Sequence, residues 1–170
     1  MKNASGVALP SILPATLAHA LTDMSSDAEA LLALSTAPID IEGRMPNSSN
    51  ATFLVQVGDP EAGIKGIYKP LRGERPLWDF PSGLFHREIA AYLLSEAMGL
   101  HVIPPTIERD GPFGPGSLQW FIEARFEEHY FTLYESREDL HDQFRNMAAF
   151  DIVANNTDRK ELNAGTSMGT

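Results

Sequence analysis

The sequence predicts an α+β fold. Three observations carry this expectation. Alternating apolar and polar residues cluster between 39 and 69, with turn residues between the runs. A helical apolar stripe follows at 82–98 and stops at Gly99. A further strand region precedes a second long helix near the end of the chain. Strands, helix, strands, helix is an order that segregates helices from an antiparallel sheet.

The elements follow in order. Residues 1–26 read as a poorly ordered leader. Lys2 and Ala18-His19-Ala20 resemble parts of a secretory signal, but Pro10 and Pro14 interrupt its apolar segment. Ser26-Asp27 caps a short helix through Leu34. Ile39–Arg44 and Ala51–Val57 are strands joined by the polar turn Met45–Asn50, and Ile64–Lys69 is the third strand of an antiparallel meander. Pro70–Pro81 is an irregular loop. The helix at 82–98 is expected to bury Phe85, Ile89, Leu93 and Ala97. Val102–Ile107 is a short strand region, Gly111–Gly116 a tight loop, and Leu118–Glu123 a buried strand. A last helix is expected from Arg137 to Ala154, with Leu140, Phe144, Met147 and Ile152 as core.

Composition bounds the function. The chain has 170 residues, enough for one domain with a core. A net charge of −10 argues against general binding to nucleic acid, because neutralising phosphates needs clustered cations. With no Cys there is no disulfide framework, thiolate metal site or Cys nucleophile, and a cytoplasmic location is expected. No apolar run is long enough to span a bilayer, so no stable membrane insertion is expected.

Three polar residues stand out by their order. Lys69 ends a strand, Glu88 lies on the next helix, and Asp158 sits in a polar loop, Asn155-Asn-Thr-Asp-Arg-Lys160, after a later helix. Kinase-type phosphoryl transfer uses such parts: a strand Lys on nucleotide phosphates, a helix Glu holding it, and a loop Asp on the acceptor hydroxyl. Several longer motifs accompany them. These are Gly43-Arg44-Met45, Ser49–Leu54, Tyr68-Lys69-Pro70, Arg72-Gly-Glu-Arg-Pro-Leu-Trp-Asp-Phe-Pro81, Arg87-Glu88-Ile89, Pro104-Pro105-Thr106, Arg109-Asp-Gly-Pro112 and Phe150–Lys160.

With these motifs the chain resembles, over residues 28–160, a bacterial family classed with the phosphatidylinositol 3- and 4-kinase superfamily and related to HipA-like kinases. The resemblance implies a protein-kinase-like fold: a β-rich N-lobe at 27–123 with one long helix, and the start of a helical C-lobe at 124–170. It implies ATP-dependent phosphoryl transfer with Mg²⁺ to an unidentified protein or small-molecule acceptor. By the same resemblance Lys69 contacts ATP phosphates and Glu88 pairs with Lys69. Ser48, Ser49 and Asn50 lie in the turn over the phosphates, and Ile122 and Glu123 in the adenine-binding hinge. Asp158 is the catalytic Asp, and Lys160 stabilises the transferring phosphate as a point charge. Asn163 stands at kinase spacing for a metal ligand. No Asp or Glu follows Asn163 in this sequence, so the expectation is a C-terminally truncated member. The alternative is a pseudokinase module that binds nucleotide or a partner without turnover.

Other residues take plainer roles. Trp78 and Phe80 are expected to anchor their loop on the sheet, and Arg72 and Arg75 either to touch phosphate or to pair with Glu74 or Asp79. His129 and His141 are read as surface residues. Glu127, Glu128, Glu138 and Asp139 form a solvated acidic face.

Overall fold

The computed structural model describes residues 15–46, 48, 50–76, 78, 81–123 and 130–156, with side chains from residue 26 onward except at 130. The fold is α+β. A long helix α1 (Ala15–Thr36) leads into strands β1 (Ile39–Arg44), β2 (Phe53–Val57) and β3 (Ile64–Pro70). Helix α2 (Phe85–Ala97) connects β3 to β4 (Thr106–Gly111) and β5 (Gly114–Trp120). Helices α3 (Tyr130–Ser136) and α4 (His141–Val153) follow.

The five strands form one antiparallel sheet in the order β1-β2-β3-β5-β4. The meander at 39–69 is therefore as expected, and β5 rather than β4 lies beside β3. The chain leaves the sheet after β3, runs through α2, and returns at the far edge.

Period-2 alternation divides the sheet into two faces. One face carries Val55, Val57, Tyr68 and Leu118, which cluster with Leu34 of α1 and are fully buried. Arg109 of β4 fixes that helix from below: its guanidinium donates to the carbonyls of Leu34 and Ala37 at the C-terminal end of α1. A cation there satisfies carbonyls that the helix leaves without partners. Tyr68 is buried in this core and donates its hydroxyl to the Gly114 carbonyl. Burial pushes its pKa above the ordinary tyrosine value, with the nearby Asp110 charge adding to the effect. The opposite face carries Lys69, Ser117 and Gln119, and receives α2.

Several expectations change. The first helix reaches back to Ala15, so residues 15–26 of the expected leader are helical. Gly111–Gly116 is not a loop: the strands run to Gly111 and from Gly114, leaving a two-residue hairpin turn at Pro112-Phe113. The buried face of α2 is Phe85, Tyr92 and Ser95, with Glu88 on the same stripe, whereas Leu93 is 58% exposed and Ala97 is exposed. Polar anchoring, not apolar periodicity, sets that rotation. Ser95 Oγ accepts the backbone N–H groups of Val102 and Ile103, and Glu88 is bonded to the sheet.

Residues 138–140 form a 3-10 turn ahead of α4, and Phe144, Met147 and Leu140 are half-buried while Ile152 is 80% exposed. The short helix α3 was not expected. Its Tyr134 ring stacks on His141 at 4.4 Å, and the Tyr134 carbonyl lies 2.8 Å from His141 Nε2. His141 is thus half-buried, at the surface as expected but packed on one side by Tyr134. His129 lies outside the described residues. Trp78 is 98% exposed and anchors nothing, contrary to expectation. Phe80 and Asp79 lie outside the described residues.

Candidate functional site

The site is built on β3 and α2. Lys69 is the penultimate residue of β3, and Ser117 of β5 stands opposite it in the ladder. Both therefore project from the face that α2 covers. Glu88, in the first turn of α2, meets both. Its Oε1 accepts Lys69 Nζ at 2.5 Å, and its Oε2 accepts Ser117 Oγ at 2.9 Å. Each carboxylate oxygen has its own donor, so the side chain is held in one orientation. Lys69 and Glu88 are about one-third exposed and Ser117 is fully buried. The Lys69 head group is thus fixed without being sealed from solvent.

The backbone beneath is tight. A Cβ on Gly116 would lie 2.3 Å from the Lys69 carbonyl oxygen, so only glycine lets β5 approach the Lys69 backbone this closely.

The sheet continues the site along β3. Leu54 and Ile67 are register partners on β2 and β3, both half-buried, on the same face as Lys69. Further along, the Phe121 N–H donates to the Lys65 carbonyl at 2.9 Å, and the chain runs on to the exposed Ile122 and Glu123. The ladder thus sets three features in a line: a cation, an apolar pair roughly 7 Å on, and the segment after β5 roughly 7 Å beyond that.

The β1–β2 turn closes the other end. Ser48 Oγ donates to the Asn50 carbonyl at 2.7 Å and lies 2.7 Å from Thr52 Oγ1, so its hydroxyl staples the turn. The Asn50 side chain accepts the Arg75 N–H at 3.0 Å, and the Ala51 N–H donates to the Gly73 carbonyl at 2.9 Å. Ser48 and Asn50 are therefore engaged in holding the turn against the loop after β3. Ser49 lies outside the described residues.

The loop after β3 ends at the start of α2. No side chain within that helix caps its N-terminus. Glu74 does so from the loop: its carboxylate accepts the Gly83 N–H at 2.8 Å and the Phe85 N–H at 2.7 Å. The expected pairing of Glu74 with Arg72 or Arg75 is replaced by this cap, because a carboxylate at a helix N-terminus meets both unpaired N–H groups and the positive end of the dipole.

On the other side of α2, Arg87, Ala90, Ala91 and Leu94 line a cleft of about 350 Å³ with Phe150, Ala154, Asn155 and Asn156. Phe150 is buried there. Asn155 takes a left-handed conformation (φ 52°), and the Asn156 N–H and side-chain amide both bond to Asp151. These residues end α4 and start the polar loop beside α2. Asp158, Lys160 and Asn163 lie outside the described residues. Among the described residues no three His, Asp or Glu side chains converge on a common point suited to a metal ion.

Ser117 and Ile67 were not singled out from sequence, and Leu54 only as the end of a motif. Glu74 was named there as a partner for Arg72 or Arg75, not as a helix cap. For Ser117, Leu54 and Ile67 the signal is the register, which requires the sheet order.

No family model matches the chain. A protein of Mycobacterium tuberculosis (strain ATCC 25618 / H37Rv) named Protein Rv2133c is 35% identical to it over 160 residues, covering 75% of this chain and 58% of that protein. The chain thus spans less than two thirds of that relative's length. Among the described residues no helix is long and apolar enough to cross a membrane.

Proposed function

We propose that this chain carries the nucleotide-binding part of a protein-kinase-like phosphotransferase. The observation that carries the reading is the Lys69–Glu88 ion pair, which joins the third strand to the helix that follows it. Kinases use this pairing of a third-strand Lys with a helix Glu to hold the cation that grips nucleotide phosphates. The surroundings fit that use. Lys69 is fixed yet accessible, Leu54 and Ile67 offer an apolar surface for a base, and the β1–β2 turn stands at the phosphate end of the line.

The chemistry follows from these positions. Bound ATP supplies the transferable γ-phosphoryl group. Lys69 neutralises phosphate charge and orients it, and Glu88 with Ser117 keeps the ammonium in place so that little reorganisation is needed. Backbone N–H groups of the β1–β2 turn act as donors, since the Ser48 hydroxyl is committed to the turn. Ile122 and Glu123 occupy the hinge position. By the family resemblance Asp158 orients the acceptor hydroxyl, Lys160 adds a point charge, and Asn163 is the expected metal ligand for Mg²⁺. Asn155 and Asn156, at the end of the described residues, line the cleft beside α2, which is compatible with these roles. The acceptor is a protein or small-molecule hydroxyl. Fold alone does not specify a lipid, and the net charge of −10 lends no support to an anionic membrane surface.

The test is ligand-dependent stability. MgATP at about 100 times its Kd should stabilise the fold by about 2.7 kcal/mol. Lys69→Met should abolish that gain while leaving the chain folded. Absence of any thermal shift with millimolar MgATP sinks the nucleotide reading. ATP turnover, where detected, should vanish in Asp158→Ala; turnover that survives this change removes Asp158 from the mechanism.

A further inference from the structure

We propose that Glu74 is a positioning residue for the Lys69–Glu88 pair, acting as a latch between the strand and the helix. The geometry forms a closed ring. Lys69 leads through Pro70 and the 3-10 turn Leu71–Gly73 to Glu74. The Glu74 carboxylate holds the Gly83 and Phe85 amides at 2.8 and 2.7 Å. One helical turn later Glu88 returns to Lys69 at 2.5 Å. Both ends of the ring are thus carboxylates on α2's first turn: one from outside fixing the helix start, one from inside reaching the strand.

The ring has a second attachment. Arg75, next to Glu74, donates its N–H to Asn50, and Gly73, before it, accepts from Ala51. The β1–β2 turn is therefore fastened to the same three-residue segment, Gly73–Arg75, that carries the latch. Release of Glu74 frees the helix start to rotate, carrying Glu88 away from Lys69. It also loosens the seat of the turn. Ser95 and the Glu88–Ser117 bond hold the body of α2, and because its N-terminus has no cap of its own, the Glu74 carboxylate is what fixes its start. The functional consequence, control of the phosphate-gripping Lys, rests on the nucleotide reading above. The latch itself does not.

The experiment reads Lys69 directly, without nucleotide. An amine-reactive ester labels lysines, and mass spectrometry follows Lys69 against Lys65 on the same strand, which pairs with Glu42 instead. A lysine held against a carboxylate is protected, because its nitrogen must leave that contact before it can attack the ester. Glu88→Gln is the positive control. Glu74→Gln keeps the size but offers one acceptor oxygen instead of two. It is expected to raise Lys69 labelling roughly fivefold, the change that loss of a helix cap predicts, with Lys65 unchanged. Amide exchange at Gly83 and Phe85 should accelerate with it. Glu74→Asp, which keeps the charge but withdraws it by one methylene, should give an intermediate rate, and it carries the test if Glu74→Gln does not fold. The proposal is overturned if Lys69 stays protected in Glu74→Gln while Glu88→Gln exposes it. It is also overturned if both lysines rise equally, which marks general loosening, or if Glu88→Gln exposes nothing. Labelling as expected in a chain that ignores MgATP keeps the latch and removes the nucleotide reading alone.

Discussion

The Lys69–Glu88 pair can be weighed by a double-mutant cycle. At 2.5 Å two unit charges attract by about 2 kcal/mol in bulk water and about 7 kcal/mol at an effective dielectric of about 20. Neither limit is the net value, since both groups give up hydration to meet. Exposed pairs contribute about 0.2–1 kcal/mol, while breaking a buried pair costs about 3–5 kcal/mol. With side chains 33% and 32% exposed, this pair belongs between those classes. Fixing of Glu88 by the buried Ser117 hydroxyl reduces the entropy lost on pairing, which lifts the pair above the exposed class, while solvent access keeps it below the buried one. We expect a coupling energy of about 1–2 kcal/mol. Glu88→Gln and Lys69→Met are the singles. Gln retains an oxygen for Ser117 Oγ, and Met retains the apolar stem of Lys, so the cycle isolates the charge pair. Each single should lower the melting temperature by roughly 2–8 °C for a chain of this size. Urea unfolding of all four proteins gives the coupling, and higher salt should shrink it. A coupling below about 0.5 kcal/mol, the scatter of independent sites, refutes the claim that Glu88 holds Lys69.

Two further outcomes follow from the packing. Gly73→Ala places a methyl 2.3 Å from Ala51 Cβ and 3.2 Å from its Cα, so backbone must shift, and denaturation should show a loss of about 1–3 kcal/mol. Tyr68 holds its proton more tightly folded than unfolded, because burial raises its pKa. Its contribution is therefore full below the ordinary tyrosine pKa near 10 and is lost as pH rises through the higher folded value. Urea unfolding across pH 8–12 should show a smaller alkaline decline in Tyr68→Phe than in the wild type, at a cost of about 1 kcal/mol near neutrality from the lost bond to Gly114.

The reading of α2 shows where sequence patterns stop. Its existence and its stop at Gly99 were legible, because periodicity and a terminating glycine are local signals. Its buried face was legible only in part: Phe85 is buried and Ile89 half-buried as expected, while Leu93 and Ala97 are exposed. Phe85, Ile89, Leu93 and Ala97 form a regular stripe in the sequence, yet the helix turns Glu88, Tyr92 and Ser95 toward the protein. A periodicity argument counts apolar side chains and has no weight for a carboxylate with two donors waiting on the sheet. Trp78 failed in the same way: bracketing prolines constrain a backbone but say nothing of what a ring will touch. The order Lys69, then Glu88, was visible as a pair of residue types on a strand and a following helix. That they meet depended on α2 lying against the face from which Lys69 projects.

What this sequence determined by itself was the α+β class, the meander from Ile39 to Lys69, the helix after it, and Lys69 and Glu88 as residues to watch. Those follow from interactions within a few residues of chain. What only the tertiary structure decided was the order β3-β5-β4, which sets Ser117 across from Lys69, and the reach of Glu74 to the start of α2. The first joins residues far apart in the chain and is chosen by the closing of the whole core; the second spans an irregular loop of about ten residues whose path depends on where α2 docks, and no local pattern encodes either.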